Sequence, residues 1–145
     1  MFVEQRLYTC APGNTAEFLK VYESEGRASQ TQHLGQPIGY YISEIGMLNQ
    51  VTTLWAYGSL DERVERRRKL FQDPAWSAYL NKARPLLTTQ ETRILMPAPF
   101  FNERLAAIAA LASEASGQRG HSIGARAGHS PEAGSSARAA LDTVS

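Results

Sequence analysis

The sequence predicts an α+β fold in which a ferredoxin-like, four-stranded antiparallel sheet carries helices on one face. Three observations predict it. Along the first hundred residues, period-two and helical patterns follow one another as strand, helix, strand, strand, helix, helix, strand. The stretch Gln50 to Tyr57 alternates as a strand and passes through Gly58 and Ser59 directly into a helix start. At 145 residues, 43% hydrophobic and 20% charged, the chain can build one core without disulfide help, and Cys10 is its single cysteine.

Phe2 to Cys10 reads as the first strand, with Phe2, Glu4, Arg6 and Tyr8 on one face and Val3, Gln5, Leu7 and Thr9 on the other. Pro12 and Gly13 turn the chain. Asn14, three residues before Glu17, has the spacing of an N-cap worth about 1 kcal/mol. The helix it starts has the apolar stripe Phe18, Leu19, Val21 and Tyr22, runs to Glu25, and continues irregularly past Gly26 to Leu34. After Gly35 and Pro37, Ile38 to Ile45 reads as the second strand, which puts Tyr40 and Tyr41 on opposite faces. A Gly46 turn joins it to its hairpin partner, Gln50 to Tyr57. There Val51, Thr53, Trp55 and Tyr57 oppose Gln50, Thr52, Leu54 and Ala56; both faces are mixed, so both should meet protein.

Ser59 and Glu62 have capping-box spacing for a charged helix, Asp61 to Gln72, with i to i+4 pairs Glu62–Arg66 and Glu65–Lys69. Asp73 and Pro74 restart the backbone as an N-cap followed by a first-turn proline. A short helix through Trp76, Tyr79 and Leu80 ends before Pro85, and Leu86 to Met96 is the last strand, closed by Pro97 to Pro99. Residues 1–100 therefore read as one domain. In residues 101–145, Glu103 to Ala115 is an Ala-rich, marginal helix, and Gly117 to Ser136 is Gly, Ser, Ala and Arg with too little apolar surface to offset the entropy of ordering. The tail is expected to be largely disordered and to lack core residues.

Several function classes recede. A formal net charge of +1 gives no long-range pull on nucleic acid, and Arg66-Arg67-Arg68-Lys69, spread around a helix beside Glu62 and Glu65, reads as a solvated face. The start Met1-Phe2-Val3-Glu4-Gln5-Arg6 lacks a secretory pattern and no apolar run suits a bilayer, so a cytoplasmic protein without membrane insertion is expected. There is no glycine phosphate loop, no GxSxG elbow and no HExxH. Cys10 reads as a small buried apolar residue, and His33, at a helix end, cannot define a zinc site alone, so no metal and no cofactor are expected.

The best functional constellation is Glu4, Arg6 and Tyr8 on one strand face, where a carboxylate, a guanidinium and a phenol can bind or polarise a small oxygenated ligand. The competing reading makes Glu4 and Arg6 a structural ion pair and Tyr8 a core or interface anchor. Tyr41, Trp55 and Tyr57 are candidate pocket walls, or core and interface residues. Helices on one face leave the other face of the sheet needing cover, and a homodimer packing sheet on sheet supplies it.

Taken together, several ordered motifs resemble the NIPSNAP family, whose domain belongs to the dimeric α/β-barrel superfamily. They are Glu4-Gln5-Arg6-Leu7-Tyr8 with Pro12-Gly13, Gly39-Tyr40-Tyr41 with Glu44-Ile45-Gly46, Leu48-Asn49-Gln50 leading to Leu54-Trp55-Ala56-Tyr57, and Arg63 to Arg68 followed by Asp73-Pro74-Ala75-Trp76. The resemblance covers Phe2 to Phe100. It implies the fold and dimerisation; the family has no firmly shared reaction. Superfamily relatives include small monooxygenases, isomerases and haem-degrading proteins that bind ligands between sheet and helices. The expectation is a homodimer with a small-molecule site there, of undefined reaction, such as a cofactor-independent oxygenase or isomerase. The alternative is a non-catalytic protein-interaction module using the sheet face and tail.

Overall fold

The computed structural model describes residues 1–117. Strands β1 (Phe2–Cys10), β2 (Gly39–Ile42), β3 (Gln50–Tyr57) and β4 (Leu87–Leu95) form one antiparallel sheet in the order β2-β3-β1-β4. Helices α1 (Thr15–Val21) and α2 (Arg27–Leu34), joined without a break by a π-helical turn at Tyr22–Gly26, make the first crossing; α3 (Leu60–Gln72) and α4 (Pro74–Ala83) make the second. This is the ferredoxin-like α+β arrangement that the element order predicts. A further helix, α5 (Asn102–Gly117), follows β4.

The register decides which face is which. Glu4 lies opposite Trp55, Arg6 opposite Thr53 and Tyr8 opposite Val51, while Thr53 also faces Tyr40 of β2. These side chains join Phe18, Tyr22, Leu34, Leu70, Trp76 and Tyr79 from the helices in and around the core. Trp55 and Tyr57 are therefore core residues on the helix-covered side. The other side of the sheet bears Leu54, Ala56 and Tyr41; α5 stands beside Ala56, and among the described residues this face is open at Tyr41, which is 57% exposed.

The local chemistry follows the sequence at the second crossing. Ser59 Oγ accepts from the Glu62 amide at 3.1 Å, and Glu62 Oε2 accepts from the Gly58 amide at 2.6 Å, closing the box one residue further back than the cap itself. Asp73 Oδ1 accepts from the Ala75 amide at 2.9 Å with Pro74 in the first turn. Glu62 pairs with Arg66, and Glu65 with Lys69 at 3.5 Å.

Three expectations are corrected. Asn14 makes no side-chain cap: its amide closes a turn onto the Ala11 carbonyl at 2.9 Å, which holds its backbone in the helical region instead of the extended one an N-cap needs. Strand β2 stops at Ile42 because Gly46 at φ 107° and Asn49 at φ 59° bend the chain early, leaving Glu44 to Leu48 as an exposed loop. The segment after Phe100 does supply a core residue, Leu105 of α5, which is 2% exposed. The expected disorder of the Gly/Ser-rich stretch falls, past Gly117, outside the described residues. Among the described residues no helix is long and apolar enough to cross a membrane.

Candidate functional site between sheet and helices

Strand β1 lays the floor of the site, because alternation sends Glu4, Arg6 and Tyr8 to the helix side together. Glu4 is fully buried, and its Oε1 accepts from Arg63 Nη2 of α3 at 2.6 Å and from Arg6 Nη1 at 3.3 Å. Arg6 Nε donates to Tyr8 Oη at 2.6 Å. The ion pair within β1 is thus present, but the shorter bond comes from a helix. Burial pushes the Glu4 carboxyl up; the hydrogen bond from Arg63 and the charges of Arg6, Arg63 and Arg67 outweigh it and hold the group below its ordinary value. Burial likewise disfavours the Arg6 cation, and Tyr8 and Glu4 outweigh it.

Above this floor lies a cavity of about 70 Å³, lined by Arg6, Tyr8, Gln30, Tyr40, Arg67, Trp76, Tyr79 and Arg84 among others. Tyr22 stacks on Tyr40 at 5.0 Å between ring centroids, and Trp76 packs beside Tyr79 at 4.8 Å. Burial pushes the phenols of Tyr22, Tyr40 and Tyr79 up, so each is neutral at pH 7 and able to donate. The cleft behind the sheet is therefore not filled by side chains.

The structure brings together only part of the candidate set. Arg6 and Tyr8 line the cavity, with Glu4 behind them holding the arginines. Trp55 and Tyr57 are in the core: Trp55 Nε1 donates to Thr53 Oγ1 at 2.9 Å, and Tyr57 packs on Phe2 at 5.7 Å. Tyr41, 57% exposed, projects from the opposite face of the sheet and cannot wall this cavity.

Two features escaped the sequence reading. Arg67, which the charge pattern predicts to lie on a solvated face, lines the cavity. The signal was there, because Arg63, Arg67 and Leu70 fall one turn apart on one side of α3, and Leu70 is fully buried. The second is a tie between α2 and α4: Ser29 Oγ donates to Asp73 Oδ2 at 2.6 Å, and His33 Nε2 meets the same oxygen at 3.0 Å. The hydrogen bond from Ser29, then that from the Ala75 amide, hold the Asp73 carboxyl below its ordinary value. Serine and imidazole share the carboxylate without touching each other's reactive atoms, so the trio is a structural clasp. Forty-four residues separate Ser29 from Asp73, a spacing that no local pattern announces.

A family model described as NIPSNAP matches residues 3–102. NipSnap homolog 2 of Danio rerio is 33% identical over 95 residues, which are 65% of this chain and 32% of that protein. The chain covers 32%, 41% and 35% of three curated relatives, so it spans about a third of their length. Among solved structures, a NIPSNAP family protein of unknown function from Agrobacterium tumefaciens is 45% identical with a TM-score of 0.67, the match covering 69% of this chain and 90% of that one. A proposed antibiotic biosynthesis monooxygenase from Nitrosomonas europaea matches at 10% identity and a TM-score of 0.51, over 67% of this chain and 98% of its own; that likeness concerns the fold alone. The segment these matches share is the one that builds the sheet, the four covering helices and the cavity, and by it the chain belongs to the NIPSNAP family.

Proposed function

We propose that this NIPSNAP protein is a homodimer that binds a small molecule between sheet and helices, with Arg6 and Tyr8 as its contacts from β1. The observation that carries this reading is the cavity, in which guanidinium, amide and phenol groups stand around a space that apolar side chains could have closed. A cofactor-independent oxygenase or isomerase is the chemistry that suits it, because fixed donors around an apolar pocket stabilise an oxyanion as it forms. Dimerisation is supported by the exposed part of the sheet face at Tyr41 and by the apolar side chains along and after the edge strand, Ile94, Leu95, Met96 and Phe100.

A thermal-shift screen over aromatic acids, small lactones and haem tests the reading. A true ligand at about a hundred times its dissociation constant stabilises by about 2.7 kcal/mol, a rise of several degrees in Tm. Ala83→Leu, which puts a larger side chain into the cavity wall, should abolish the rise. A screen with no hit, or a hit indifferent to Ala83→Leu, would overturn it.

The second reading, a non-catalytic interaction module, is favoured by the solvent-facing Ile45, Met47 and Leu48 in the loop before β3 and by Tyr41 on the open face. An interaction module would keep its partner when the cavity is filled.

A further inference from the structure

The charges around the cavity are unbalanced in a particular way. Arg6, Arg67 and Arg84 line it, and among the described residues no carboxylate does. Arg6 is already engaged by Tyr8 and Glu4. Along α3 the other basic residues are engaged too: Arg63 with Glu4, Arg66 with Glu62 and the Leu34 carbonyl, Arg68 and Lys69 with Glu65. Arg67 is the exception, with no ion pair among the described residues and only the Phe71 ring beneath its guanidinium at 5.5 Å. Burial first, and then the repulsion of Arg6 and Arg63 against a partial offset from Glu4, work against its charge. An anion in the cavity would offset both costs.

Trp76 adds an independent indication. It is 7% exposed, lines the same cavity, and its indole Nε1 is buried without a hydrogen-bond partner among the described residues. A buried N–H donor left so is costly unless an acceptor in the cavity meets it. The aromatic pairs Tyr22–Tyr40 and Trp76–Tyr79 give the space flat apolar walls.

Resting on the small-molecule reading above, we infer that the ligand is an organic anion, a single carboxylate or enolate on a compact flat apolar body, whose charge is held by Arg67 and whose second polar contact is Trp76 Nε1. Lysine would be a poorer substitute for Arg67, because the planar guanidinium meets a carboxylate through two parallel hydrogen bonds.

Titration calorimetry on the full chain with benzoate and its neutral isostere benzamide tests this. Wild-type protein should bind benzoate at least about tenfold more tightly, the size expected for one charge-assisted hydrogen bond. Arg67→Gln should erase the preference and leave benzamide unchanged. Equal affinity for the two in wild-type protein overturns the inference while leaving a small-molecule site standing, as does binding of a neutral lactone with no binding of benzoate. A preference that survives Arg67→Gln overturns the role of Arg67. Failure of every compound, charged or neutral, sinks the small-molecule reading as well. Should Arg67→Gln not melt cooperatively, Arg67→Lys decides: a reduced but persisting preference supports the assignment, and unchanged affinities overturn it.

Discussion

At Glu4 a fully buried carboxylate holds Arg63 at 2.6 Å and Arg6 at 3.3 Å, so its loss strands two cations under the helices. Glu4→Gln should cost about 2–4 kcal/mol, somewhat below a fully dry pair because Arg63 keeps partial contact with water. Chemical denaturation with urea measures it. The pH dependence has a definite sign. The Glu4 and Asp73 carboxyls are both depressed in the folded protein, so their contribution is complete above the ordinary carboxylate range and is lost as pH falls through the lower folded values. Stability should drop on acidification from about pH 5 downward, and the drop should be shallower in Glu4→Gln; an unchanged acid limb would contradict it. That Glu4, Arg6 and Tyr8 share a face was legible, because period two needs no tertiary information. That Arg63 would be the stronger partner was not, since it lies 59 residues away and arrives only when α3 docks.

The first helical crossing carries a row of buried positions at every fourth residue: Phe18, Tyr22, Gly26, Gln30 and Leu34. In a regular α-helix that spacing drifts by about 40° per step, or about 160° over the row, and would turn Leu34 away from the core. The π-helical turn at Tyr22–Gly26 takes up about one residue, about 100°, and brings the row back onto one face. Deleting Ser24, exposed within that turn, should therefore regularise the helix and leave Tm nearly unchanged. Deleting Ala28 just beyond it should rotate Gln30 and Leu34 by about 100° and destabilise strongly. Gly26 is fixed by a close approach, because a Cβ there would stand 2.8 Å from the Tyr79 ring. Gly26→Ala should cost about 1–3 kcal/mol by overpacking despite its better helix propensity. The irregular continuation past Gly26 was readable from composition; the π turn was not, although the fourfold row was its signature. Asn14 shows the converse, a correct residue type at a cap position overruled by the turn that precedes it.

For the whole molecule, the topology was legible because element order alone restricts a four-stranded α+β sheet to few arrangements. Which face the helices take was not, since β3 shows Trp55 and Tyr57 on one side and Leu54 and Ala56 on the other, and either set can make a core. Light scattering at micromolar concentration should give a dimer mass; a stable monomer there would count against the homodimer and for another occupant of the open face. Strand β4, nine residues long and paired on β1, is an edge of the sheet among the described residues. The Glu91–Arg93 pair guards its middle, but Ile94, Leu95 and the 75% exposed Met96 leave its end apolar beside open backbone donors and acceptors. Such an edge is a template for growth by strand addition, so concentrated refolding mixtures should lose protein to insoluble fibres, and dilution should suppress that loss.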